Sequence, residues 1–177
     1  MALNATIYKA DLQISDMDRH YYQAHSLVLA RHPSETLERL MARLLVFSCF
    51  ASEELEFTRD LSEADVPALW ARDLTGQITL WIEMGQPDER RILKACGRAD
   101  QVLVVCYHAN SPLWWKQNKS KLTRAKNLQV WYLPAEFAAR LAGLAERNMQ
   151  LQCMIQDQQI WFSSGEESVQ LELERWK

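Results

Sequence analysis

Apolar and polar positions alternate along much of this chain, and the period changes at definite points. Ala5 to Ile14 and His20 to Ala30 alternate with a period of two, which predicts two strands, with Tyr21, Leu27 and Leu29 sharing a face. Ser15-Asp16-Met17-Asp18 supplies turn chemistry between them. Arg31-His32-Pro33-Ser34 then breaks the pattern. Ser34 is placed to cap a helix from about Glu35 to Phe50, whose Leu37, Leu40, Met41, Leu44 and Leu45 recur at helical spacing. Leu55 to Thr58 reads as a short strand, and Leu61 to Pro67 as a polar loop with one helical turn.

The middle of the chain reads strand, tight turn, strand, helix, strand, helix, strand. Ala68 to Arg72 and Gln77 to Met84 form a hairpin across Leu74-Thr75-Gly76. Ile78, Leu80 and Ile82 face one way, and Thr79, Trp81 and Glu83 the other. Gly85-Gln86-Pro87-Asp88 ends the strand and opens a helix, with Pro87 near its first turn. Gln101 to Tyr107 is nearly all apolar, as a strand covered on both faces would be. A helix from Ser111 to about Leu122, a strand from Leu128 to Leu133 and a helix from Pro134 to about Arg147 follow. Met149 to Gln156, Gln159 to Ser163 and Ser168 to Glu174 form a C-terminal antiparallel set, turning at Asp157-Gln158 and Ser164-Gly165-Glu166. Strands alternating with helices from Gln77 to Leu133 predict a locally parallel core with right-handed crossovers. The expected fold class is α/β in a mixed α+β sense: one compact mixed sheet flanked by helices, in a single domain spanning residues 1–177.

A net charge of −3 excludes a protein that coats DNA by bulk charge, so any basic site must be local. No stretch approaches the ~20 apolar residues of a membrane span. The alternating start MALNATIYKADLQI lacks the pattern of a signal peptide, which places the chain in the cytoplasm, away from membranes. Cys49, Cys96, Cys106 and Cys153 form no C-x-x-C pair and each lies in an apolar element, so they read as buried free thiols. His20, His25, His32 and His108 show no metal-ligand spacing.

Chemistry concentrates around Glu83. A carboxylate near the end of an apolar strand must be paired, metal-bound or close to solvent. A strand glutamate, an aspartate on or near the adjacent strand and a glutamate from a packed helix is the layout of a magnesium-dependent nuclease site. Mg²⁺ takes carboxylate, water and phosphate oxygens, and it lowers the pKa of bound water. A tight turn at Thr75-Gly76 makes paired residue numbers sum to roughly 150. That register sets Glu83 opposite Pro67 or Ala68 and leaves Asp73 by the turn, with Asp65 nearer. The plainer alternative has Glu83 bonded to Arg90 or Lys94, and Asp73 making a turn hydrogen bond.

A second constellation runs from Trp114 to Lys126. It carries five basic residues (Lys116, Lys119, Lys121, Arg124, Lys126) and no acidic one. Trp114 and Trp115 beside Lys119, Lys121 and Arg124 suit a nucleic-acid backbone groove with stacking platforms. The alternative is a helix whose tryptophans pack on the sheet and whose polar side is solvated.

The segments ATIYKADLQISDMDRHYY, ARHPSETLERLMARLL, ELEFTRDLSEADVPALW, LWIEMGQPDERRILKAC, WW and QVWYLP resemble the YaeQ family of small bacterial proteins, essentially from end to end. The resemblance implies a compact variant of the PD-(D/E)XK nuclease-like, or restriction-endonuclease-like, fold. On that basis Glu38 of SETLER takes the helix position that often carries an extra glutamate, Asp65 or Asp73 supplies the aspartate, and Glu83 of IEMG is the second strand acid. These strand acids, Glu83 with Asp73 or Asp65, would hold Mg²⁺. Gly85 stands where a lysine is usual, which leaves Lys94 of RRILKAC as a migrated lysine, or Arg91 of the same helix in its place, and Gln86 would orient substrate or water. The implied function is a Mg²⁺-dependent nuclease. The alternatives are a non-catalytic nucleic-acid-binding protein acting through Trp114–Lys126, and a protein-binding factor.

Overall fold

The structure, a computed structural model, describes residues 4–59 and 61–177. Met1, Ala2 and Leu3, which begin the segment read as lacking a signal peptide, lie outside the described residues, as does Asp60. In chain order the elements are β1 (Thr6–Asp16), β2 (Tyr21–Arg31), α1 (Leu37–Phe50), β3 (Leu55–Phe57), β4 (Leu69–Arg72), β5 (Ile78–Met84), α2 (Glu89–Cys96), β6 (Ala99–Cys106), α3 (Ser111–Leu122), β7 (Leu128–Tyr132), α4 (Ala135–Ala142), β8 (Asn148–Gln156), β9 (Gln159–Ser164), β10 (Glu167–Leu171) and β11 (Glu174–Arg175). They fall into two compact units. One holds β1, β2, α1, α4 and β8 to β10; the other holds β3 to β7, α2, α3 and β11.

Each unit has its own mixed sheet, where the sequence pattern predicts one. In the first the order is β10-β9-β8-β1-β2, with β1 parallel to β8 and the other neighbours antiparallel. Tyr8, Ala10, Leu12 and Ile14 of β1 are buried, and so are Met149, Leu151, Cys153 and Ile155 of β8, so the even positions of one strand share a face with the odd positions of the other. Asp16 ends β1 buried: its carboxylate accepts from the Asp18 and Arg19 N–H groups and from Arg19 Nε at 2.7 Å. Asp18 then accepts from the Asp157 and Gln158 N–H groups, tying the β1–β2 turn to the β8–β9 turn.

Helix α1 starts two residues later than the pattern predicts. Thr36, not Ser34, caps it, its Oγ1 accepting from the Arg39 N–H. Glu35 is drawn out of the helix because its buried carboxylate takes Arg43 Nε and Nη2 at 2.7 and 2.8 Å and Arg39 Nη1 at 2.9 Å. Helix α4 ends earlier than predicted. Arg147 belongs instead to the β1 edge, where its carbonyl accepts from the Lys9 N–H and its Nε donates to the Ile7 carbonyl.

In the second unit the order is β11-β7-β6-β5-β4-β3. β5, β6 and β7 run parallel, joined by α2 and α3, and β3-β4-β5 is an antiparallel meander. Trp81, Val102, Val104, Val130, Ile92, Ala95 and Leu122 form one buried cluster, in which α2 and α3 bury their apolar stripes. The opposite face, Ile82, Leu103 and Val105, is buried too, as the unbroken apolar run of β6 requires. Among the described residues no helix is long and apolar enough to cross a membrane.

All four cysteines are free. Burial pushes the Cys106 and Cys153 thiols up to about 12. Unfolded, they ionise at the ordinary 9.0, so between 9.0 and about 12 the unfolded chain holds fewer protons than the folded one. Stability therefore falls as pH rises through that window. Urea unfolding at about pH 8 and about pH 10.5 checks it, and replacing both residues by Ala should remove part of the decline. The Glu35–Arg43 bridge gives a second expectation. Arg43→Met should destabilise the fold by about 3 kcal/mol because Glu35 stays buried, while adding Glu35→Leu should recover much of that loss.

Candidate functional site

Strand β5 carries Trp81 and Glu83 two residues apart, hence on one face, toward α2. Glu83 is buried, and its Oε1 accepts from Trp81 Nε1 at 2.9 Å and from Arg91 Nε at 2.8 Å. The cation is Arg91, rather than Arg90 or Lys94. Asp88 caps α2 through the Arg91 N–H, which sets the helix phase so that Arg91 precedes buried Ala95 by four residues and starts on the sheet-facing stripe. Arg90 and Lys94 are exposed and do not reach Glu83. The remaining Arg91 nitrogens donate to the Ala64 carbonyl at 2.6 Å and the Val66 carbonyl at 2.9 Å. One planar guanidinium thus joins strand, helix and the 61–67 loop, which suits the fixed fork of its donors.

Asp65 sits on that loop, exposed, with Lys94 Nζ 3.2 Å from its Oδ1. The Lys94 bond and charge, followed by Arg98 and Arg91, hold its carboxyl below the usual range. Arg98 donates to the Asp65 carbonyl and lies over the Trp81 ring at 4.9 Å. Asp65, Trp81, Arg91, Lys94, Ala95 and Arg98 enclose about 20 Å³, room for about one water. Lys94 is thus the partner of Asp65, while Glu83 has its own cation.

The register places Ala68 opposite Glu83, since Leu69 pairs with Ile82 and the Ala68 N–H donates to the Ile82 carbonyl. Asp73 lies at the other end of the hairpin, ~20 Å along β5 at ~3.3 Å per residue. There its Oδ1 accepts from Thr75 Oγ1 at 2.6 Å and from the Thr75 and Gln77 N–H groups, closing the turn that Gly76 makes at φ 86°. These bonds, led by Thr75 Oγ1, lower its carboxyl. Asp73 and Glu83 are therefore not brought together. Glu38, half-buried in α1, belongs to the other unit. Among the described residues no three His, Cys, Asp or Glu side chains converge as a metal would require.

Gly85, at φ 92°, turns the chain out of β5, and its N–H donates to the Val105 carbonyl. Gln86 then reaches the start of α3: its Nε2 donates to Asn110 Oδ1 at 3.0 Å and Ser111 Oγ at 3.4 Å. Buried Ser111 Oγ also accepts from the His108 N–H, so Gln86 braces the first turn of α3.

Along α3, Trp114, Asn118 and Lys121 recur at i, i+4 and i+7 and form one wall of a groove of about 620 Å³, with Gln86, Asp88, Glu89 and Arg90 opposite. Trp115 faces elsewhere. It stacks on Trp176 at 6.3 Å, which stacks on Tyr132 at 4.6 Å. Of the two tryptophans only Trp114 lines the groove, and both pack against the core cluster. Lys119, Lys121 and Arg124 are exposed. Sequence reasoning misses Arg91 as the ion-pair partner of Glu83, the place of Arg90 and Asn118 on the groove, and the contact of Gln86 with Asn110. The i, i+4 relation of Arg91 to Ala95 is the signal that finds the first; the others depend on how α2 and α3 meet.

The Arg91 junction yields a stability test. Arg91→Met should cost about 2–3 kcal/mol in urea unfolding, less than a fully buried pair because Arg91 keeps a third of its exposure. Arg91→Lys should recover only part of this, because an ammonium does not span Glu83, Ala64 and Val66 in one plane. In both variants the 61–67 loop should become the first site of limited proteolysis.

The comparisons with known proteins agree along the whole chain. A family model described as YaeQ protein matches residues 1–173. The YaeQ protein of Escherichia coli (strain K12) is 47% identical over 178 residues, covering 100% of this chain and 98% of its own length. The crystal structure of YaeQ from Xanthomonas axonopodis pv. citri superposes with a TM-score of 0.95 at 46% identity, covering 98% of both chains. That of YaeQ from Pseudomonas syringae gives 0.93 at 30% identity, covering 98% of this chain and 96% of its own. The chain belongs to the YaeQ family.

Proposed function

We propose that this chain is a non-catalytic nucleic-acid-binding protein of the cytoplasm, which holds a single strand along α3. The observation that carries the reading is the groove beside α3. It combines a half-buried aromatic ring (Trp114), an amide (Asn118) and cations on both walls (Lys121, Arg90). A strand's backbone would run past Lys121 toward Arg124, with Lys119 adding to the local field from a neighbouring face, and a base would stack on Trp114. Asp88 and Glu89 on the opposite wall keep phosphates on the α3 side. The basic segment stands in a chain of net charge −3, so the field that draws a polyanion is local to it.

The nuclease reading, with its PD-(D/E)XK assignment, has less support. Mg²⁺ needs carboxylate oxygens converging within about 5 Å. Here Oε1 of Glu83 is held by Arg91 and Trp81, Asp65 is paired with Lys94, and Asp73 closes a distant turn.

Fluorescence anisotropy with a labelled oligothymidine tests the proposal. With about four phosphate contacts, log affinity should fall against log salt with a slope of about −3. Changing Lys119, Lys121 and Arg124 together to Glu should weaken binding by roughly 100-fold or more. Absent binding, or binding indifferent to salt and to the triple change, would remove this reading and favour a protein-binding factor. Strand cleavage with Mg²⁺ that disappears in Glu83→Gln would restore the nuclease.

A further inference from the structure

We propose that β2 is a dimerisation edge, through which two copies of this chain pair their five-stranded sheets into one continuous ten-stranded sheet. The first observation is a contrast between edges. An exposed edge strand offers unpaired N–H and C=O groups, and folded proteins ordinarily blunt it by shortness, charge, proline or a bulge. Among the described residues, three of the four sheet edges obey this: β3 has three residues, β11 has two and both are charged, and β10 has five and begins with Glu167. β2 does not. It runs eleven residues, YYQAHSLVLAR, with no proline and no charged residue before Arg31, and it pairs with β1 without a register shift. It is also open: Tyr22, Gln23, Ala24, Ser26, Val28 and Ala30 are exposed, Tyr22 at 53% and Val28 at 63%.

The occupant follows from self-complementarity. A two-fold axis makes an isologous contact, so the strand must match its own reverse. With the axis at Ser26, Tyr22 lies opposite Ala30 of the second copy, Ala24 opposite Val28, and Ser26 opposite Ser26. Each large exposed side chain thus meets a small one, on one sheet face, and no like charges are opposed. The inward face pairs Gln23 with Leu29 and His25 with Leu27 in the same register. A second copy satisfies the edge along its length, which fits this neutral strand better than a peptide of unrelated sequence.

Sedimentation equilibrium over a range of protein concentrations tests this with the full chain. The wild type should be a dimer at tens of micromolar. Val28→Lys, on an exposed position that the fold does not need, should raise the dimer dissociation constant roughly tenfold or more. Adding Ala24→Glu should restore dimerisation, since the carboxylate introduced in each copy then faces the ammonium introduced in the other. Circular dichroism confirms that each variant is folded. A wild type that stays monomeric, a dimer indifferent to Val28→Lys, or a double variant that stays monomeric would each overturn the proposal.

Discussion

The Arg91–Glu83 pair is the constraint on which the second unit depends. A carboxylate taken out of water on a central strand is unfavourable by several kcal/mol unless a cation and hydrogen bonds replace the solvent. Arg91 and the Trp81 indole do so, and the arginine has enough donors left to fix the backbone of a polar loop. The Asp88 cap gives α2 the phase that meets this requirement, with Arg91 inward and Arg90 and Lys94 exposed. Asp65, Lys94 and Arg98 form an outer ring around that junction, exposed and individually weak. One oxygen of the strand glutamate, Oε1, is thus held by both a resident guanidinium and an indole.

Much of the local structure was legible in the sequence, because local rules decide it. The limits of α3, the hairpin register opposite Glu83 and the turn role of Asp73 follow from period, turn chemistry and arithmetic along the strands. What was not legible depends on distant partners. Nothing within Thr6–Asp16 announces that β8 will be its parallel neighbour, so the division into two sheets is invisible to pattern alone. Glu35 reads as a good first-turn helix residue until Arg43 claims it, and Ala145 to Arg147 read as helix until β1 claims Arg147. The candidate site behaved alike. Trp114 and Trp115 are indistinguishable as a dipeptide, and Trp176, arriving just after β11, shows which one stacks away from the groove.

The two units manage polar surface differently. In the second, α2 and α3 carry three cations each, those of α3 without a carboxylate among them, and the sheet edges are short. In the first, the outer sheet face mixes serine, glutamine and isolated apolar residues with Lys9 and Asp11, and one long edge is neutral. Neither feature is required by the fold: any solvated residues would serve on α3, and a lysine in β2 would blunt the edge without touching the core.

The pairing of β1 with β8 has a consequence for biosynthesis. Lys9 lies beside Asn148, so the first hairpin leaves the ribosome long before the strand that completes its sheet. Through that interval Tyr8, Ala10, Leu12 and Ile14 have no β8 beside them, and the nascent hairpin presents two open edges rather than one. Contacts of such high sequence separation form slowly and expose the chain to wrong pairings while they do. The first unit is therefore a structure that closes only late in translation, and the interval before it closes is when the chain most needs protection from other copies of itself.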